Sequence, residues 1–178
     1  MTRRMTVLHS AEAIAARNAE LADVIAQAAP ERLLVVAVLK GSFVFAADLI
    51  RSLHSAGLEP EVEFITLSSY GEGQKSSGQV RVVHDIESEV AGRDLVLVDD
   101  ILESGRTLAF ARDLMLERGA RRVLTCVLLN KGGKRAVSID ADLVGFECPD
   151  HFVVGYGMDA AHAYRQLPFV GIVSEDGA

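Results

Sequence analysis

The stretch Leu95-Val96-Leu97-Val98-Asp99-Asp100-Ile101-Leu102-Glu103-Ser104-Gly105-Arg106-Thr107 decides the fold. Its opening run, Leu95 to Val98, is too short for a helix and has no polar relief, so it reads as a strand buried on both faces. Two carboxylates close that strand, and a helix is expected from Thr107 to Arg118, stopped by Gly119. The same pattern recurs outward in both directions. Leu33 to Leu39 and Val123 to Leu129 are further Val- and Leu-rich runs of strand length. Val62, Phe64, Ile65 and Leu67 mark another strand. Ser42 to His54 reads as a helix stopped by Gly57. Ser10 caps an earlier helix that carries Ile14, Leu21 and Ile25 on one stripe and ends by Pro30. Strands alternating with helices give an α/β fold with a central parallel sheet flanked by helices.

The 178 residues are 49% hydrophobic, enough to bury one full core. A single domain over 1–178 is expected. The formal net charge is −7 with no long basic run, which excludes a broad nucleic-acid surface. The longest apolar run, Leu33 to Leu39, is too short to span a bilayer. The basic start Met1-Thr2-Arg3-Arg4-Met5 is followed by no signal-peptide core. Cys126 and Cys148 make neither a disulfide framework nor a zinc site, so no membrane and a cytoplasmic location are expected. His9, His54, His84, His151 and His162 show no metal spacing and read as surface or packing residues.

In an open α/β sheet, ligands bind beyond the carboxyl ends of the strands, where Asp99 and Asp100 lie. The second half of the segment is suited to an anion. Gly105 permits close backbone approach, the helix start presents its positive end, and Ser104 and Thr107 add hydroxyl donors. Arg106 and Asp100 stand where a Walker A loop would have lysine and its first glycine, so this is not that loop. Two carboxylates would repel a phosphate. They suit a neutral diol, or a Mg²⁺ ion that offsets their charge. A 5-phosphoribosyl group has the phosphate and the diol together. A helix cap needs only one such residue near the first turn, so capping does not account for the pair.

Together these residues resemble the phosphoribosyl pyrophosphate signature of type I phosphoribosyltransferases. From Val35 to about Glu175 the chain is similar to the hypoxanthine-guanine branch, in which a small hood subdomain is formed by the N-terminal segment and the C-terminal part. The resemblance implies purine salvage. The enzyme would transfer 5-phosphoribosyl from phosphoribosyl pyrophosphate to a 6-oxopurine base, with Mg²⁺ and as a homodimer or homotetramer. Asp99, Asp100, Ser104, Gly105, Arg106 and Thr107 would hold the phosphoribosyl group. Lys40, Gly41 and Arg165 would hold pyrophosphate, with a cis peptide between Leu39 and Lys40. Ser69-Tyr70 would open a mobile loop covering residues 68–78, a glycine- and serine-rich segment without apolar periodicity.

The same resemblance places Lys131, Phe152, Val153 and Asp159 at the base, and makes Asp159 a metal ligand with Asp99 and Asp100. Lys131 ends a buried strand, and an ammonium only donates, so it suits a 6-oxo and not a 6-amino group. Phe152 can stack on a flat ring. Glu103 stands where relatives usually have Asp, their candidate proton acceptor. Lys134 and Arg135 read as a solvated turn. Two alternatives stay open: a phosphoribosyltransferase for another base, and a nucleic-acid-binding regulator on the same fold.

Overall fold

The computed structural model describes residues 3–70 and 79–175. Nine strands and three helices follow in the order β1 (Arg3–His9), α1 (Ala11–Gln27), β2 (Leu34–Leu39), α2 (Phe43–Ser55), β3 (Glu61–Tyr70), β4 (Gln79–His84), β5 (Asp94–Leu102), α3 (Arg106–Glu117), β6 (Arg122–Lys131), β7 (Leu143–Cys148), β8 (Val153–Val154) and β9 (Val170–Glu175). Six strands form the central sheet in the order β4-β3-β2-β5-β6-β7. All its pairings are parallel except β3 with β4. A second, antiparallel sheet has the order β1-β9-β8, so the two ends of the chain meet there.

The apolar runs form buried strands because side chains alternate across the sheet and both faces are covered. Val35, Ala37, Val96 and Val98 face the core under α1 and α2, with Ile14, Leu21, Ile25, Phe45 and Leu49. Leu34, Val36, Leu95 and Leu97 face the opposite core, with Leu108, Ala111 and Met115 of α3. Ser10 caps α1 as expected, its side chain accepting from Ala13 N at 3.2 Å. Cys126 is fully buried in the first of these cores. Leu97 is fully enclosed, so Leu97→Ala should cost about 2–5 kcal/mol of stability by loss of buried methyls and cavity formation. Denaturant unfolding checks this, and a loss below about 1 kcal/mol would mean that the sheet collapses around the gap.

Three expectations need correction. Ser68, Ser69 and Tyr70 do not begin a loop: they pair with Arg81, Val80 and Gln79 as the end of β3. The rest of the expected mobile segment, residues 71–78, lies outside the described residues. The strand from Leu95 does not stop at the carboxylates either. It continues to Leu102, with Asp99, Ile101 and Leu102 opposite Val127, Leu129 and Asn130 of β6, which satisfies the backbone there. Finally, the region after Lys131 is not all subdomain. β7 joins the central sheet as its edge. Arg17 of α1 covers that edge, donating from Nε to Gly145 O at 2.9 Å and from an Nη to Val144 O at 2.8 Å.

Candidate active site

The carboxyl ends of β2, β3 and β5 converge on a cleft of about 700 Å³. Lys40 and Gly41 line it from the turn after β2. Asp99 to Gly105, with Thr107, line it from β5 and the start of α3, and Lys134 lines it from beyond β6. The peptide between Leu39 and Lys40 is cis, as the resemblance implies. Two glycines set how closely the walls approach. A Cβ on Gly41 would fall inside the Asp100 carboxylate, so only glycine lets that strand turn lie against β5. Gly105 has φ +82°, and a Cβ there would meet Ile139 at 2.6 Å. Gly105 is also the residue before α3 and provides no side-chain cap. The Arg106 amide donates to Ser104 Oγ at 3.3 Å, and the positive end of the helix beyond it faces an anion in the cleft. Arg106, the first residue of α3, is not among the residues lining this cleft.

Among the described residues the carboxylate pair has no cation in direct contact, and only the Arg165 charge acts on Asp100 from further off. Asp99 accepts from Asp100 N at 2.9 Å, and Asp100 accepts from Ile101 N at 3.0 Å. Neither forms an ion pair with a lysine or arginine of the described residues. Burial, and then the neighbouring Asp100 charge, push the Asp99 carboxyl well above its ordinary range. Burial raises Asp100 as well, against the hydrogen bonds that favour its charged form. A divalent cation or hydroxyl-rich ligand fits such a pair. Asp159 does not complete a three-carboxylate group with it, and no group of three or more potential metal ligands is gathered among the described residues. The Asp159 carboxylate is held instead by Arg165 at 2.7 Å.

A smaller hollow of about 180 Å³ adjoins the cleft across Asp100, Ile101 and Glu103. Lys131, Phe152, Val153 and Asp159 line it, together with His151 and Met158. The four residues expected at a base therefore do come together. Phe152 is 59% exposed, a large apolar ring with its surface free for a ligand. Val153 is buried and tied into the second sheet by pairing with Ile172. Lys131 is only 7% exposed. Its Nζ lies 2.9 Å from Glu103 Oε1 and 3.2 Å from Asp150 Oδ1. Burial acts to lower the Lys131 pKa, but hydrogen bonds to these two carboxylates together outweigh it and raise the pKa.

Arg165 donates to Gly157 O at 2.7 Å and is not among the residues lining the cleft, while its charge reaches Asp100 there. Lys134 and Arg135 are no plain solvated turn. Lys134 Nζ lies 3.0 Å from Asp150 and 3.7 Å from Glu103. Arg135 donates to Glu103 O at 2.9 Å and to Asn130 Oδ1 at 2.8 Å, which fixes the backbone that carries Glu103. Their charge in a glycine-rich turn was the only sequence signal. His151 is exposed, as expected of a surface residue, and also lines the rim of the hollow.

A sheet edge that joins an anion cradle to a carboxylate pair, with a flat hollow alongside, defines the class: an α/β enzyme that holds a phosphorylated, hydroxyl-bearing ligand next to a ring. Residues 5–161 match the family described as the phosphoribosyl transferase domain, and the chain belongs to that family. A hypoxanthine-guanine phosphoribosyltransferase of Streptococcus agalactiae is 40% identical over 96% of this chain and 93% of its own. One from Aquifex aeolicus is 41% identical over 97% of both chains. The crystal structure of a hypoxanthine-guanine phosphoribosyltransferase from Bacillus anthracis superposes with a TM-score of 0.88 at 40% identity, covering 95% of this chain and 98% of that one.

Proposed function

We propose that the protein is a purine-salvage enzyme of the cytoplasm that transfers 5-phosphoribosyl from phosphoribosyl pyrophosphate to hypoxanthine, and also to guanine, releasing the nucleoside monophosphate and pyrophosphate. One observation carries this reading: Lys131 Nζ and Glu103 Oε1 stand 2.9 Å apart beside the exposed Phe152 ring. A 6-oxopurine has its O6 acceptor and the N7 position side by side on one edge. A donor-only ammonium next to a carboxylate matches that edge, while an adenine amino group would face the ammonium as a second donor.

Ring stacking on Phe152 holds the base, and Lys131 donates to O6. Glu103 takes the N7 proton as the base nitrogen attacks C1 of the ribose and the bond to pyrophosphate breaks. Ser104, Gly105, Thr107 and the start of α3 hold the 5-phosphate, with Arg106 adding positive charge nearby. Asp99 and Asp100 accept from the ribose hydroxyls or hold Mg²⁺, and Asp159 stands at the base side as the ligand of a second ion. Bound Mg²⁺ would neutralise the charge that develops on departing pyrophosphate. Lys40 and the Gly41 backbone meet the same charge. Arg165 joins them once it releases Asp159. Ser69 and Tyr70, at the end of β3, lead into the segment that would cover the site and exclude water. The second sheet, built from both chain ends, serves as the hood over this edge within one domain, and the enzyme works as a homodimer or homotetramer.

A steady-state assay of hypoxanthine, guanine, xanthine and adenine with phosphoribosyl pyrophosphate and Mg²⁺ tests the reading. Turnover of hypoxanthine with adenine rejected supports it. RNA binding without turnover would favour a regulator on the same fold. Chelation by EDTA should lower turnover at least about tenfold, with full recovery on added Mg²⁺. Undiminished turnover in EDTA would remove the metal from the scheme.

A further inference from the structure

The turn Gly155-Tyr156-Gly157 has positive φ at all three residues, 93°, 49° and 98°. Tyr156 is the side-chain-bearing residue among them, and a tyrosine in this region needs support from its surroundings. Its ring is 4% exposed in the core under α1 and α2. Its hydroxyl donates to Asp48 Oδ2 of α2 at 2.6 Å and accepts from Asn18 Nδ2 of α1 at 2.9 Å. Burial, and then the Asp48 carboxylate, push the phenol pKa upward, so it stays a donor.

Two neighbours of this turn, Gly41 and Arg165, are the residues expected at pyrophosphate. A Cβ on Gly157 would lie 2.4 Å from Gly41 O, so the turn rests directly on the Gly41–Ser42 peptide, between the Lys40–Gly41 turn and α2. Gly157 O accepts from Arg165, and Gly157 N donates to Arg165 O at 3.0 Å. The far end of the bond, Asp48, belongs to the helix that begins just after Gly41. That helix start is itself fixed by Ser42 Oγ donating to Val38 O at 2.5 Å. Tyr156 lines neither the cleft nor the hollow. It faces a separate cavity of about 730 Å³ behind them, with Asn18, Asp48 and Arg165.

We infer that the Tyr156–Asp48 hydrogen bond is a positioning device for pyrophosphate recognition: it sets the Gly155–Gly157 turn against α2 and so fixes where Gly41 and Arg165 stand. The inference rests on the phosphoribosyl-transfer reading. The base hollow depends on this bond less: Val153 is held by β9 and Lys131 by Glu103 and Asp150, and of its lining only Met158, bonded to Gly155, and Asp159 follow the turn directly. Loss of the bond should therefore divide the two substrates.

Tyr156→Phe keeps the ring and removes the donor, and Asp48→Ala removes the acceptor. In each variant Kd for phosphoribosyl pyrophosphate with Mg²⁺, read by calorimetry, should rise about five- to tenfold, the size of one ordinary lost hydrogen bond, because only part of the effect on the turn is passed on to the ligand. KM for the same substrate should follow, while kcat and KM for hypoxanthine stay within about twofold. If Tyr156→Phe does not fold, Asp48→Ala carries the test alone. Wild-type protein that fails to bind phosphoribosyl pyrophosphate would overturn the functional reading. Wild-type protein that binds it, with folded variants binding equally tightly, would overturn the positioning role and leave that reading intact. So would kcat and both KM values deteriorating together with thermal stability.

Discussion

Glu103→Gln lowers kcat by about 10²-fold or more, the low end for general-base catalysis, with phosphoribosyl pyrophosphate affinity nearly unchanged. Gln keeps the length and shape of the side chain and an oxygen for Lys131, but it cannot take a proton from N7. Glu103 lines the same cleft, but the groups expected to bind phosphoribosyl pyrophosphate there, Asp99, Asp100, Gly105 and Thr107, stand at their own positions along β5 and the start of α3. The structure also shows where the longer side chain goes. A glutamate here could have retracted toward the site or turned away to loop amides. Its Oε1 instead lies 2.9 Å from Lys131 and 3.7 Å from Lys134, on the rim of the base hollow, while Arg135 holds its backbone carbonyl. The longer side chain thus keeps its carboxylate beside Lys131, on the same hollow as Phe152. Glu103→Asp should remain active. Steady-state rates across roughly pH 6 to 9 decide the matter, and wild-type turnover by Glu103→Gln throughout that range would show that Glu103 is not the proton acceptor.

The central sheet was legible because β2, β5 and β6 are buried on both faces, which leaves continuous Val- and Leu-rich runs. The phosphate side was legible for a related reason. Gly105 and its hydroxyl neighbours sit at a strand end directly before a helix, where chain order alone sets their geometry. Edge and turn features were harder to read. Leu143, Val144 and Phe146 are interrupted by Gly145, and nothing local reveals that Arg17 shields that edge from 127 residues away. Lys134 and Arg135 gained their roles only when the β6–β7 connection folded back onto Glu103. The same holds for Arg165, whose partners are Gly157 and Asp159, and whose position behind the turn depends on three consecutive positive φ values.

Lys131→Gln lowers the preference for hypoxanthine over adenine by about 10- to 100-fold, as expected when one charged hydrogen bond that sets specificity is lost. The buried ammonium has three hydrogens and no lone pair, so it rewards an acceptor at purine C6 and penalises an amino group. Glu103 and Asp150 keep it charged and aim it, since both contact Nζ. A Gln amide can donate or accept by rotating, so it no longer separates the two bases. Removing a buried cation ordinarily leaves its carboxylate partners exposed to mutual repulsion. Here Lys134 still bridges Asp150 at 3.0 Å and Glu103 at 3.7 Å, so the hollow keeps a positive charge and the fold should persist. Hypoxanthine kcat/KM should fall with the ratio, because O6 loses an ionic donor. Affinity for phosphoribosyl pyrophosphate should not, because Lys131 does not line that cleft. The measurement is kcat/KM for both bases in wild type and variant at saturating phosphoribosyl pyrophosphate. An unchanged ratio would remove Lys131 from base selection and leave Phe152, with the Val153 backbone, as the groups that distinguish one purine from another.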